Sequence, residues 1–186
     1  MSGRAMGLAY LMGVALSAIL AGCAAQPADD CSRQVYPDAV IVDERFGDSA
    51  VSFVGVEAER DVSGKEIQVV RFRDGAGCWA EPVDRYYYEG GEPTLEASFI
   101  HTVQGEPNLF TIVSWPLLHV GLGMNGRLYS VYAYHEVDGV LAVNDLVVKN
   151  KELYGGVEGI LGGEPSTFEG KTEEGVVALL ERLGLE

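Results

Sequence analysis

The stretch YAYHEVDGVLAVNDLVV, residues 132–148, decides the fold. Asp138-Gly139 stands between two apolar-rich runs, Tyr132–Val137 and Val140–Val148. An Asp-Gly pair suits the tight hairpin turn whose central residues need positive φ, so the two runs are expected to pair antiparallel. Just upstream, Asn125-Gly126 has the same chemistry and predicts a second such turn before a strand beginning at Arg127. Short hairpins give antiparallel pairing, not a parallel sheet with crossover helices.

Working outward, the same pattern continues in both directions. Leu95, Ala97, Phe99, His101 and Val103 alternate with more polar residues, which puts them on one face of a strand. Further candidate strands are Ala39–Val42, Val51–Val56, Ile67–Arg73, Tyr86–Tyr88 and Leu109–Trp115. They are separated by breaks at Asp74-Gly75, Glu89-Gly90-Gly91 and Gly105-Glu106-Pro107. Trp115-Pro116 predicts a strand end, because proline cannot donate to a central ladder. The apolar segment Pro116–Gly123 then reads as a flexible loop over a pocket or as a buried edge strand.

Residues 155–170, with six glycines and Pro165, are expected to form a loop. A helix over about 173–183 follows. Thr172 suits its N-cap, and Glu173 and Glu174 suit the positive end of its dipole. Val176, Leu179, Leu180 and Leu183 recur on one face, and Gly184 supplies the stop. The expected fold is therefore mainly β (α+β): an antiparallel sheet of hairpins, as a sandwich or half-barrel, with one C-terminal helix packed on it.

At 186 residues and 47% apolar content the chain suits one domain with a real core. Its net charge of −15 argues against nucleic-acid binding, which needs a basic footprint.

The N-terminus carries an address. Arg4 precedes an uncharged apolar run from Ala5 to Gly22, the pattern of an export signal. Leu20-Ala21-Gly22-Cys23 at its end resembles the lipobox of bacterial lipoproteins at all four positions. The resemblance covers about 23 residues and says nothing of the domain that follows. It implies removal of residues 1–22, lipidation of Cys23, and a short tether over residues 23–30. Ala24 rather than Asp after that Cys resembles the class sorted to the outer membrane, facing the periplasm. Loss of Arg4 with the signal deepens the charge from −15 to −16. Anionic head groups repel such a domain, so attachment has to come from lipid.

With Cys23 lipidated, Cys31 and Cys78 remain as an even pair in an oxidising compartment. They suit a disulfide, the alternative being two buried thiols. Residues 31–186 then form a single globular domain.

Chemical motifs are sparse. Gly121-Leu122-Gly123-Met124-Asn125-Gly126 has dinucleotide-loop spacing, but a strand follows it instead of a helix, so it predicts a glycine-rich hairpin. His101, His119 and His135 are far apart in sequence, and no cysteine pair is spare for zinc. No cofactor and no metal are expected, and His101 suits a core position. Tyr86, Tyr87, Tyr88, Tyr129, Tyr132 and Tyr134 place aromatics on two strands, as strands favour and as wet-rimmed binding surfaces also do.

Two functions fit. One is a non-enzymatic, membrane-tethered protein-binding module of the envelope, such as an inhibitor or immunity protein, whose acidity steers a basic partner. The other is a small-molecule-binding or hydrolytic lipoprotein. Its pocket would be roofed by Pro116–Gly123 and lined by Tyr132, Tyr134 and His135 or His119.

Overall fold

The structure is a computed structural model that describes residues 41–47, 49–58, 63–73 and 79–186. Cys23, Cys31, Cys78, the signal segment and the tether lie outside the described residues. The chain is mainly β, with antiparallel sheets, one of them curled into a half-barrel, and a C-terminal helix.

The first sheet is a four-stranded meander in the order β1 (Ile41–Phe46), β2 (Ser49–Glu57), β3 (Lys65–Arg73) and β4 (Trp79–Tyr86). The second is built on a long hairpin, β6 (Glu106–His119) with β7 (Met124–Val137). β5 (Thr94–Val103) flanks β6; β9 (Gly155–Leu161) and β10 (Glu164–Ser166) extend the sheet beyond β7. β8 (Val140–Val143) also pairs with β7. The turn between them is the expected one, with Asp138 at φ 51° and Gly139 at φ 78°. Two central residues at positive φ match the twist of the strands they join.

The two sheets meet face to face. Phe46, Val51, Phe53, Val69 and Tyr86 of the first pack with Leu109, Val113, Trp115 and Tyr134 of the second, in a cluster that Leu141 also joins. On its other face the second sheet carries Phe99, Phe110, Ile112 and Val131. These are covered by Phe168 and by Val176, Leu179 and Leu180 of the terminal helix. That helix, Glu173–Leu183, forms as its sequence predicts: Thr172 Oγ1 accepts from Gly175 N at 3.2 Å, and Gly184 ends it at φ 65°. We call it α2; α1 is a single turn, Asp145–Val148, started by the Asn144 side chain. The run Val140–Val148 is therefore not one strand, because Asn144 caps a helical turn after Val143.

Other expectations are corrected. Residues 155–170 are not a loop: their glycines belong largely to the β9–β10 hairpin. Side chains at Gly155 and Gly156 would collide with the Tyr129 carbonyl and the Phe168 ring, so glycine serves here for close approach. Asn125-Gly126 is not a turn but lies inside β7; the reversal comes earlier, through a 3-10 turn at Val120–Leu122 closed by Gly123 at φ 62°. Trp115-Pro116 does not end its strand, and Pro116–Gly123 is neither a lid nor a buried edge. β6 runs on to His119, and beyond Ser114 it has β7 alone beside it, an edge that tolerates proline. The ring of Pro116 is seated against Gly91, where a Cβ would not fit. Tyr87 and Tyr88 lie past the end of β4.

In β5 a bulge between Leu95 and Ala97 breaks the expected alternation. Leu95 packs between the sheets, whereas Ala97, Phe99 and Val103 pack under the helix. One extra residue turns the chain over.

Candidate binding face and the buried tyrosine cluster

The tyrosines of the two sheets meet between them. Tyr86 Oη lies 2.7 Å from both Thr111 Oγ1 and Tyr134 Oη, and Tyr134 Oη donates to Asp84 Oδ2 at 2.8 Å. Tyr132 stacks on Tyr86 with ring centroids 4.8 Å apart and meets the exposed Tyr154 edge-on at 5.9 Å. Desolvation raises the Tyr86 phenol far above its usual range, opposed by the hydrogen bonds with Thr111 and Tyr134 and assisted by the charge of Asp84. Burial likewise pushes up Tyr132 and Tyr134. Phenols held neutral, hydrogen-bonded and buried are suited to cross-linking two sheets. Tyr134 thus sits in the core, fully enclosed, and Tyr132 is partly enclosed beside it.

His135, the next residue, has a different setting. It pairs with Ala142 in the β7–β8 hairpin and lines two clefts at one end of the sandwich. One, of about 190 Å³, includes Phe46, Ile100, Pro107 and Glu136. The other, of about 380 Å³, includes Val103, Val143, Asp145 and Leu146. Both share Glu106 with His135. Ile100, Val143 and Leu146 are exposed here, in the company of the exposed carboxylates Glu106, Glu136 and Asp145. Apolar ground with a charged rim is the anatomy of a protein-binding face.

This end is braced from below. Arg71, only 2% exposed, donates from Nε to Ser49 Oγ at 2.9 Å, from Nη1 to the Gly139 carbonyl at 3.1 Å and from Nη2 to Glu136 at 2.8 Å. Arg73 donates to the same carbonyl, and its guanidinium lies 5.1 Å from the half-exposed Trp79 ring.

His119 is at the other end of the sheet, paired with Met124. The long β6–β7 hairpin separates it from His135, so the two histidines cannot share a pocket. His101 packs edge-on to Phe110 and lies 3.5 Å from Glu186, 27% exposed, a strand histidine at the rim of the helix-side core. Among the described residues, no group of three His, Cys, Asp or Glu side chains could hold a metal ion.

The sequence reading missed Ile100, Glu106 and Leu146. The available signal was an isoleucine flanked by polar Ser98 and Thr102 on one face of β5. The chain matches no protein-family model, no curated protein and no solved structure.

Proposed function

We propose that this chain is a lipid-anchored envelope protein that binds a protein partner through the face around His135 and Glu106, without catalysing a reaction. The observation that supports the reading most is the pair of adjoining clefts with exposed Ile100, Val143 and Leu146 inside a rim of Glu106, Glu136 and Asp145. The chain's charge of −15 speeds encounter with a basic partner surface, an effect that salt screens; at the rim itself Glu136 is paired with Arg71 and Asp145 with Lys149. An inhibitor or immunity protein is the version of this role that the charge favours. Lipidation at Cys23 holds it to the membrane, and a Cys31–Cys78 disulfide staples the domain.

Capture with the intact lipidated chain at low salt tests the reading. The expected result is a partner that is released by salt and lost with Glu106→Lys or Leu146→Asp. A partner retained equally by both variants places the contact elsewhere and refutes this face. Cys23→Ser tests the anchor separately: it should abolish incorporation of palmitate and retention in the membrane fraction.

The second reading, a small-molecule pocket lined by Tyr132, Tyr134, His135 and His119, has less support. Tyr134 is fully enclosed and the histidines lie at opposite ends.

A further inference from the structure

Two departures from ordinary strand chemistry meet at one cavity. The first is Gly55, inside β2 and opposite Ile67 in the register. Its φ is not positive, so its backbone suits any residue, and a Cβ there would meet nothing within 4 Å. Glycine inside a strand costs stability, and among the described residues neither conformation nor close approach calls for it here. The second is the β5 bulge, beside which Leu95 turns in between the sheets. Bulges recur where a side chain has to be re-aimed beside a site. Gly55 and Leu95 border the same cavity, of about 310 Å³. That volume lies at the lower end of the range for small-molecule pockets.

The cavity is held open by its frame. It lies where the chain crosses from the first sheet to the second, and that crossing is pinned. Tyr88 N donates to Glu66 Oε1 at 3.2 Å, and Trp115 Nε1 donates to the Tyr87 carbonyl at 2.8 Å. The Pro116 ring is seated against Gly91 in the same stretch. The cavity is also remote from the face around His135. Ser49, bonded to Arg71, marks that end of β2, and Gly55 follows roughly 20 Å along it at strand rise.

Its lining has two parts. Phe53, Ile67 and Leu95 join the core between the sheets and give an apolar floor. Lys65 and Glu92, both exposed, stand at the mouth with one charge of each sign. Glu92 Oε1 accepts from the backbone N of Lys65 at 3.0 Å, and among the described residues the two side chains form no ion pair. Glu66, the other charge of the lining, is buried and bonded to Arg85 Nε at 2.6 Å. Glu57, opposite Lys65 in the register, lies outside the lining. A cation and an anion side by side above an apolar floor match a small zwitterion with an apolar body. An α-amino acid with an apolar side chain has that form, because its carboxylate and ammonium sit on one carbon.

We infer that this cavity binds a free apolar α-amino acid. Its carboxylate meets Lys65, its ammonium meets Glu92, and its side chain fills the space that Gly55 leaves open. The site stands apart from the partner face and depends on no lipid anchor.

The test titrates the full chain with L-leucine and L-phenylalanine and follows the methyl resonances of Ile67 and Leu95. Saturable shifts are expected with at least one of the two. Two analogues of leucine each drop one charge: 4-methylpentanoate lacks the ammonium, and leucinamide lacks the carboxylate. Each should bind about tenfold more weakly, since each leaves one mouth charge unanswered. Gly55→Leu should abolish the shifts with the melting temperature unchanged or raised. Should that variant fail to fold, Gly55→Val, smaller and suited to a strand, takes its place. No saturable shift with either amino acid overturns the inference. Leucinamide bound as tightly as leucine overturns it in favour of a peptide amino terminus, and 4-methylpentanoate bound as tightly in favour of a plain carboxylate. Unaltered binding in the filled variant puts the ligand elsewhere and also overturns it.

Discussion

Tyr86 and Tyr134 face each other across the two sheets with their phenolic oxygens 2.7 Å apart. Each has a further partner, Thr111 for Tyr86 and Asp84 for Tyr134. Deleting one hydroxyl therefore leaves another buried polar group short of a bond. Tyr134→Phe should lower unfolding stability by about 1–3 kcal/mol, with the denaturant slope unchanged, in urea titration followed by tryptophan fluorescence. A loss near zero would mean that the cluster contributes no net energy.

The same phenols set the alkaline limit of the fold. Their pKa values are raised in the folded state, chiefly by desolvation, relative to about 10 in the unfolded chain. Above that pH the unfolded state has lost protons that the folded state keeps. The stability they contribute is thus whole below about pH 10 and falls as pH rises further, by up to about 1.4 kcal/mol per pH unit for each tyrosine. Phenolate absorbance should rise in two stages: the exposed tyrosines first, then this buried set together with the loss of far-ultraviolet β signal. A single stage with the fold intact would contradict the burial.

Two glycines of β7 and β9 are held by space as well as by conformation. Gly126 at φ 150° and Gly159 at φ 138° oppose each other, and a Cβ on either would run into the partner strand's backbone. Gly126→Ala should cost about 2–4 kcal/mol. Gly139→Asn, at an open turn position whose conformation asparagine accepts, should cost a few tenths of a kcal/mol at most. Thermal melting of the two variants side by side checks both.

Helix α2 is held by its face more than by its cap. Leu180, fully buried, should cost about 2–5 kcal/mol on replacement by alanine, and Thr172→Ala about 1 kcal/mol. Equal losses in denaturant unfolding would show that the helix contributes locally and is not docked.

The helix was legible because each of its signals is local: Thr172, the acidic first turn, the Leu179/Leu180 face and Gly184 all act within a few residues. The Asp138-Gly139 hairpin was legible for the same reason. What failed depended on neighbours distant in sequence. Gly155 and Gly156 look like loop residues until the Tyr129 carbonyl and the Phe168 ring are seen against them. Gly126 carries turn chemistry but is required by its fit against β9. Pro116 is tolerated because β5 stops pairing at Ser114, which no pattern near Pro116 reveals. The binding face had still less signature. Ile100 and Leu146 lie 46 positions apart in the sequence, on different elements, and only the fold brings them to one end.

β6 extends from Glu106, on the acidic face, to His119, between the exposed Leu118 and Val120 at the β6–β7 reversal, and its 14 residues span roughly 45 Å at strand rise. A single unbroken strand is thereby a ruler. It holds the acidic face and the β6–β7 reversal a full strand length apart, so whatever covers one of them leaves the other uncovered.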